Sequence, residues 1–358
     1  MAQTSPMRTG VDDGSTGSAL GYRPELDGLR AFAVGVVVAY HAGVPGFSGG
    51  HVGVAWFFVL SGFLITTLLL EERDRAGFIG IRRFYQRRAL RLLPTLYLVL
   101  AVFFVLSLAF VTIDHREFIS AGLYFSNMHP LVFGTDAEQP FFLHTWSLSL
   151  EEQFYLIWPL VIARLTMGRT ALALAIGLIG VAFVSRLFID TDPSALNLPV
   201  FSLDGFAVGA ILAVAVRRRR APRWCFSLGV TLATCLVMTF DVIVSQSAVQ
   251  GLIPMRMLVS QVAVAIVILH LVSEPESRLS TLLRMQPLVY VGLLSYALYL
   301  WHFPIFELFT AERMGDQLPV LRHGAKYLLT AVCAIATYHL LEQPISKRRA
   351  RLRAPESK

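Results

Sequence analysis

The chain has 358 residues, of which 55% are hydrophobic and 15% are charged, and its mean hydropathy is +0.60. This composition excludes an ordinary soluble enzyme and indicates a polytopic membrane protein, because a soluble domain of this length carries more charge and less apolar surface. The formal net charge is +7 at pH 7, which would also suit a nucleic-acid binder. The positions of the basic residues have to distinguish the two classes.

Apolar windows account for most of the chain. Residues 1–20 are polar, and we expect a disordered cytoplasmic lead-in. Windows of about 20 residues, enough to cross roughly 30 Å of hydrocarbon, then predict membrane-spanning helices rather than the shorter, alternating strands of a barrel. The ten predicted spans lie near residues 28–45, 51–71, 92–113, 149–165, 170–189, 199–216, 224–244, 253–273, 288–310 and 326–343. The predicted fold is an all-α integral membrane bundle of about ten transmembrane helices at residues 21–345, followed by a basic cytoplasmic tail at 346–358.

The basic residues predict the orientation of this bundle. With the N-terminus in the cytoplasm, 25 of the 31 Lys and Arg residues fall on inner segments and 6 on the outer side. By the positive-inside rule both termini are cytoplasmic and the number of spans is even. The charge therefore reflects topology in a multi-pass protein of the cell membrane. We expect membrane lipids as partners and no nucleic acid.

The first predicted span contains one arginine and one histidine. Eleven residues on a helix of 3.6 per turn bring Arg30 and His41 to within about 20° of each other, about 16 Å apart along the axis. They are either a snorkelling anchor and a core histidine, or a functional pair in which Arg30 binds an anion and His41 is a general base. Asp27 is predicted to cap this helix, and an ion pair with Arg30 is the alternative.

Arginines also cluster before the third predicted span. In the stretch RRFYQRRALRLLP, Arg87, Arg88 and Arg91 lie within about a turn and a half of helix. They are either part of the positive-inside excess or, with Arg30, a pocket for a polyphosphorylated ligand, because the guanidinium fork suits phosphate.

The stretch HTWSLSLEEQFYLIWP is predicted to open the fourth span from the outside. Ser149 and Glu152 fit a capping box. Glu151 is not needed for this cap and shares a helical face with Tyr155 and Trp158. That face either binds a hydroxylated substrate or belongs to an interfacial aromatic belt.

The ninth predicted span contains SYALYLWHFP, in which Ser295, Tyr299 and His302 are spaced by four and three residues. A second histidine at membrane depth is another functional candidate. The sequence has no Walker loop, no GxSxG motif and no metal-ligand spacing, so we expect no metal.

Five stretches, in their order and spacing, resemble the acyltransferase-3 family of integral membrane proteins. They are ELDGLRAFAVGVVVAYH, GVAWFFVLSGFLIT, FYQRRALRLLP, HTWSLSLEEQFYLIWP and LLSYALYLWHFPI, and the resemblance extends over about residues 22–345. It implies O-acyl transfer from cytoplasmic acyl-CoA, with acetyl-CoA expected, to a hydroxyl of a sugar, glycan, lipid-linked intermediate or secreted small molecule such as a macrolide.

The resemblance also implies roles for particular residues. His41 would be catalytic, either as a base for direct attack or as a transient acyl carrier. Glu151 would orient the acceptor as a second catalytic residue. The CoA phosphates would be bound by four arginines: Arg30, Arg87, Arg88 and Arg91. The substrate would be bound by residues of the fourth-span and ninth-span motifs: Tyr155, Ser147, His144, Tyr299 and His302.

Some members of this family carry an additional extracellular hydrolase-like domain. Few residues follow the last predicted span here, so we expect either direct acylation by the membrane unit or delivery by a separate extracytoplasmic transferase. Two other classes remain as alternatives. A transporter or lipid-binding channel would use the buried Arg and His for ion or proton relay, and a non-catalytic scaffold would not need His41.

Overall fold

The computed structural model describes residues 21–134, 140–164, 169–187, 199–218, 227–244, 253–314 and 319–351. Within these ranges the regular structure is helical and contains no strand. The predicted lead-in at 1–20 and the end of the predicted tail lie outside the described residues. The α-helices are α1 (Pro24–His41), α2 (Gly50–Ala76), α3 (Ile81–Ser107), α4 (His115–Gly122), α5 (His129–Phe133), α6 (Trp146–Arg164), α7 (Arg169–Leu187), α8 (Pro199–Arg217), α9 (Leu228–Val244), α10 (Ile253–Ser273), α11 (Arg278–Leu283), α12 (Gln286–Leu308), α13 (Ala311–Met314), α14 (Pro319–Thr337) and α15 (Gln343–Arg351).

Each of the ten predicted windows falls on one of the long helices, namely α1, α2, α3, α6, α7, α8, α9, α10, α12 and α14. Among the described residues, five helical segments are long and apolar enough to cross a membrane. They are Gly50–Ala76, Ile81–Ser107, Met255–Ser273, Gln286–Leu308 and Val320–Arg348. The chain is therefore an all-helical bundle with candidate membrane spans. The number of ten spans and the side on which the termini lie stay predictions.

The relative direction of α1 and α12 agrees with predicted spans that cross the membrane in alternating directions. Arg30 of α1 contacts Ser295 of α12, and His41 contacts His302. Residue numbers rise together along both helices, so α1 and α12 run parallel, as the first and ninth of ten alternating spans must.

Glycines allow α1 and α12 to approach closely. A Cβ added to Gly292 would lie 1.9 Å from the carbonyl oxygen of Asp27, and one added to Gly28 would lie 2.1 Å from that of Leu283. Any larger residue would push the backbones apart, as at the small-residue contacts of other membrane helices. Gly292 therefore sets the spacing between α1 and α12, and Gly28 sets the spacing between α1 and the end of α11.

Two clusters of buried apolar residues lie among α1, α2, α6, α8 and α10, and a third lies among α3, α12 and α14. Phe63, Phe206 and Ile268 are completely buried in the first two, and the ring of Phe206 stacks on those of Phe58 and Phe154 with centroid distances of 4.5 Å. This packing fixes α6 against α2 and α8 and so positions the polar side chains that α6 carries.

Two predicted helix caps are wrong. α1 begins at Pro24, a residue suited to the first turn of a helix, and Asp27 does not cap it. The Asp27 carboxylate instead accepts a hydrogen bond from Tyr22 and lies 3.7 Å from the guanidinium of Arg30, which is the predicted alternative. α6 begins at Trp146, so Ser149 lies inside the helix, where its hydroxyl donates to the carbonyl of Thr145.

α3 begins at Ile81 rather than near residue 92. The arginine-rich stretch before the predicted third span is therefore the first part of this helix. Arginine, glutamine and leucine are good helix formers, so helical structure extends beyond the apolar window that predicts the span.

Candidate active site

His41 and His302 form a hydrogen-bonded pair at the ends of two parallel helix faces. His41 Nδ1 lies 3.0 Å from His302 Nε2. The other ring nitrogen of His302, Nδ1, lies 2.7 Å from the carbonyl oxygen of Tyr299 and 3.2 Å from that of Leu298. His302 is completely buried. The sequence names both histidines but gives no sign that they touch, because 261 positions separate them.

His144 lies beside this pair and is 2% exposed. Its ring stacks on Phe303 with a centroid distance of 5.1 Å, and it lies 5.4 Å from the ring of His302. Neither ring nitrogen of His144 has a well-aligned hydrogen-bond partner, and its nearest backbone interaction is with Leu300. A buried imidazole with two unsatisfied nitrogens is costly, so this site has hydrogen-bonding capacity for a further group.

Ser147 and Tyr299 hold the chain around His144. The Tyr299 hydroxyl donates to the carbonyl oxygen of His144 over 2.8 Å and lies 2.6 Å from the hydroxyl of Ser147. The Ser147 hydroxyl also lies 3.4 Å from the same carbonyl oxygen, so the two hydroxyls share it as an acceptor. This network fixes the start of α6 against α12.

Arg30 lies at the other end of the same face of α1. Its guanidinium donates to the hydroxyl of Ser295 over 2.9 Å, and its charge interacts with those of Asp27, Arg91 and Glu151. The predicted shared face of Arg30 and His41 is therefore occupied by one helix, α12. Ser295 lies at one end of this contact and His302 lies at the other.

Arg88 joins the predicted acidic pair to the arginine cluster. Its guanidinium lies 2.7 Å from Glu152 and 3.6 Å from Glu151, and its Cζ lies 3.1 Å from the ring centroid of Tyr155. The sequence predicts the acidic motif at the outer end of the fourth span and the arginines at the inner end of the third. This predicted separation is wrong, because Arg88 contacts both glutamates. Hydropathy windows predict the order of helices but not the depth at which each begins, and α3 begins before its window.

Glu151 is engaged by three groups. The hydroxyls of Ser61 and Tyr155 donate to its Oε1 atom over 2.6 and 2.5 Å, and Arg88 lies 3.6 Å away. His41 instead bonds to His302, so the two predicted catalytic residues belong to different hydrogen-bonded clusters. The hydroxyl of Ser61 is a contact that the sequence does not reveal, because its Ser-Gly pair indicates only close packing.

The other two predicted phosphate ligands differ in their surroundings. Arg87 lies 3.6 Å from Glu72. Arg91 is exposed, and its charge interacts with those of Arg30 and Glu342. Glu342 lies in a π-helical turn, Tyr338–Glu342, between α14 and α15, and accepts a hydrogen bond from Thr95 over 2.9 Å. Thr95 is a further site residue that no motif in the sequence indicates.

A separate pair of charges is buried between α7 and α8. The guanidinium of Arg186 bonds to the carboxylate of Asp204 over 2.6 and 2.7 Å, and the two side chains are 0% and 1% exposed. In the described ranges no group of three or more His, Cys, Asp or Glu side chains is arranged to hold a metal ion.

The fold and the site define a helical membrane protein with buried histidines and arginines on facing helices. Residues 23–339 match the family model for the acyltransferase-3 family, which is described as an acyltransferase domain. The chain belongs to this family, and the resemblance seen in its motifs is confirmed.

Three curated relatives cover about nine tenths of the chain. The O-acetyltransferase OatA of Staphylococcus aureus (strain NCTC 8325 / PS 47) is 32% identical over 358 residues, which are 91% of this chain and 58% of the relative. The peptidoglycan O-acetyltransferase OatA of Listeria monocytogenes is 30% identical over 91% of this chain and 56% of the relative. The putative peptidoglycan O-acetyltransferase YrhL of Bacillus subtilis is 34% identical over 90% and 55%.

The chain therefore spans a little over half the length of these relatives. No solved structure matches it.

Proposed function

We propose that the chain is a membrane-embedded O-acyltransferase that moves an acetyl group from cytoplasmic acyl-CoA to a hydroxyl of a cell-wall glycan. The observation that carries this proposal is the single face of α1 on which Arg30 contacts Ser295 and His41 contacts His302. It offers a cation for the donor at one end and a basic nitrogen about 16 Å away at the other. The names of the relatives, O-acetyltransferase and peptidoglycan O-acetyltransferase, support the reaction and the acceptor class.

The donor phosphates would meet the arginines near the start of α3. Arg30 and Arg91 carry like charges that interact with each other, and an anion bound between them would relieve that repulsion. Arg87 would add a third cation once it turns from Glu72. Arg88 is already paired with Glu152, so its proposed contribution to CoA binding requires exchange of a carboxylate for a phosphate.

His41 would supply the basic nitrogen for the transfer. In the direct route, the acceptor oxygen attacks the thioester carbonyl and its proton passes to His41. The carbon–sulfur bond then breaks, and the CoA thiolate takes the proton back as a thiol. In the acyl-histidine route, His41 attacks the same carbon and CoA leaves as a thiolate; the acceptor oxygen then takes the acyl group from His41, and its proton passes to the thiolate. Both routes use the same lone pair on His41.

The five predicted substrate-binding side chains would either contact the substrates or hold the groups that do. His144 is the main candidate, because its two ring nitrogens are buried and neither has a well-aligned hydrogen-bond partner. Ser147 and Tyr299 would fix the position of His144, and Tyr155 would present Glu151 to the acceptor. His302, the fifth, contacts His41 directly. Glu151 accepts hydrogen bonds from Ser61 and Tyr155. It would orient the acceptor from that cluster, without a hydrogen bond to His41.

Transfer of label from radiolabelled acetyl-CoA tests the proposal. Purified protein in membrane extract containing cell-wall glycan precursors should label the glycan fraction, and His41→Ala should reduce the rate at least about 100-fold, the usual contribution of a general base. His115→Ala is the matched control, because this histidine side chain is 82% exposed and lies on α4, away from the site. Equal labelling by wild type and His41→Ala would contradict the catalytic role.

The same assay separates the other classes. A transporter or lipid-binding channel would show no dependence on acyl-CoA, and a scaffold would keep its function in His41→Gln. Labelling of a lipid or small-molecule fraction instead of glycan would change the acceptor but not the reaction. A need for an added extracytoplasmic fraction would indicate a separate transferase that completes delivery.

A further inference from the structure

The hydrogen bonds of His302 determine where its proton lies. Nδ1 is within 2.7 Å of the carbonyl oxygen of Tyr299 and 3.2 Å of that of Leu298. Carbonyl oxygens only accept hydrogen bonds, so Nδ1 must carry a proton. His302 is completely buried and its described hydrogen bonds run to two carbonyls and an imidazole. Because nothing in this set compensates a positive charge, the neutral ring is the stable form, and its Nε2 atom is an acceptor.

The protonation of His302 then fixes that of His41. Since His302 Nε2 accepts, the 3.0 Å contact requires His41 Nδ1 to donate. A neutral imidazole carries one proton, so the lone pair of His41 lies on Nε2. Nε2 is the ring nitrogen that does not contact His302.

We propose that His302 is a positioning residue that holds His41 as the Nδ1–H tautomer and directs its Nε2 lone pair at the reacting group. In serine proteases a carboxylate does this for the catalytic histidine, and its loss costs roughly 10⁴-fold in rate. Here a second imidazole, itself oriented by backbone carbonyls, performs the task without placing another charge at membrane depth. When His41 takes a proton on Nε2, its Nδ1–H bond to His302 persists, so nothing has to reorganise.

Two variants of similar size separate positioning from packing. The amide oxygen of His302→Gln reaches the place of Nε2 and accepts from His41, whereas His302→Met fills similar volume without a comparable acceptor. We expect kcat to fall at least about 100-fold in His302→Met, with KM for acetyl-CoA unchanged, and His302→Gln to recover at least a tenth of the wild-type rate. If His302 only packs against its neighbours, Met should be tolerated better than Gln, and that order would overturn the proposal.

The tautomer can be read without any acyl transfer. Nitrogen-15 magnetic resonance of histidine-labelled protein in bilayers distinguishes a protonated ring nitrogen from an unprotonated one, and His41→Ala identifies the His41 signals. We expect a protonated Nδ1 and an unprotonated Nε2 on His41 in the wild type, and loss of this preference in His302→Met. An Nε2–H tautomer in the wild type would overturn the inference.

The catalytic consequence rests on the proposed function, but the tautomer does not. If the wild type shows the expected tautomer and transfers no acyl group, the proposed function fails and the assignment of His302 stands. If transfer is efficient and His41 carries its proton on Nε2, the proposed function stands and the assignment of His302 fails.

Discussion

Arg88 is a single side chain that contacts three others. It lies 2.7 Å from Glu152, 3.6 Å from Glu151 and over the ring of Tyr155. The Arg88 and Glu152 side chains are 14% and 22% exposed. Removing one member of a mostly buried ion pair costs more than removing both, because the remaining charge loses its partner.

We therefore expect Arg88→Met and Glu152→Gln each to lower the free energy of unfolding, and the double variant to recover part of the loss. A coupling energy of about 0.5–3 kcal/mol is typical of contacting residues in one network. Thermal unfolding in detergent of the four proteins of the cycle measures it. Losses that simply add in the double variant would show that the pair contributes no coupling.

Arg91 tests the donor site more directly than Arg88. It is exposed, and it interacts electrostatically with Arg30 and Glu342. We expect Arg91→Gln to raise KM for acetyl-CoA by about tenfold, in line with loss of one charge-assisted hydrogen bond, and to weaken the dependence of KM on ionic strength. Arg75→Gln is the control, because Arg75 is an exposed arginine that pairs with Glu71 at the end of α2. An unchanged KM in Arg91→Gln would remove Arg91 from the donor site.

Glu117 lies on α4, outside the candidate spans, and gives the fold a dependence on pH. It is 5% exposed and accepts the backbone N–H of Phe142 over 2.9 Å. Burial raises the pKa of Glu117 from 4.5 to about 7, opposed by the Phe142 N–H and reinforced by Asp114 and Glu307. The folded state thus binds this proton more tightly than the unfolded state. The resulting stability is fully present below the unfolded pKa and is lost as pH rises through the folded one.

We expect the temperature of half-unfolding to decrease as the pH is raised from about 5 to about 8. The corresponding loss in the free energy of unfolding should be up to a few kcal/mol. Glu117→Gln keeps the shape and cannot titrate, so its midpoint should change less over the same range. If the unfolding temperature changes equally with pH in the wild type and in Glu117→Gln, Glu117 is not protonated in the folded protein.

At the scale of helices, the spacing between α1 and α12 controls the site. A methyl group on Gly292 would lie 1.9 Å from the carbonyl oxygen of Asp27, so the helices would have to separate. We expect Gly292→Ala to reduce acyl transfer by at least about tenfold, because small misplacements of catalytic groups are costly. Gly35→Ala is the matched control, since a Cβ on Gly35 meets nothing within 4 Å, and it should retain activity. Full activity in Gly292→Ala would show that the close approach is dispensable.

The same helices show what the sequence can and cannot predict. The shared face of Arg30 and His41 follows from the geometry of one helix, and both residues contact α12. The partner of His41 could not be predicted in this way, because the contact joins residues of two helices far apart in the chain. Likewise, hydropathy locates α3 but not its start at Ile81, and the pairing of Arg88 with Glu152 depends on the relative depths of α3 and α6.

At the scale of the whole molecule, the parallel course of α1 and α12 fits their places as the first and ninth of the alternating spans, and the side on which their ends lie is a separate prediction. The charge distribution predicts that the segment between α3 and α6 is outside and that the segment between α10 and α12 is inside. Each contains a well-exposed side chain. His115 is 82% exposed and Glu276 is 92% exposed.

Cysteine labelling decides the orientation. In a variant with Cys225, Cys235 and Cys333 replaced by Ala, His115→Cys should react with a membrane-impermeant maleimide on intact cells, and Glu276→Cys should react only after permeabilisation. The reverse pattern would invert the bundle and place Arg30 outside, where cytoplasmic acyl-CoA could not reach it. Labelling of both positions on intact cells would instead mean that an even number of crossings separates the two segments, whereas the ten-span topology requires five. The accessibility of these two positions therefore tests both the predicted topology and the proposed donor site.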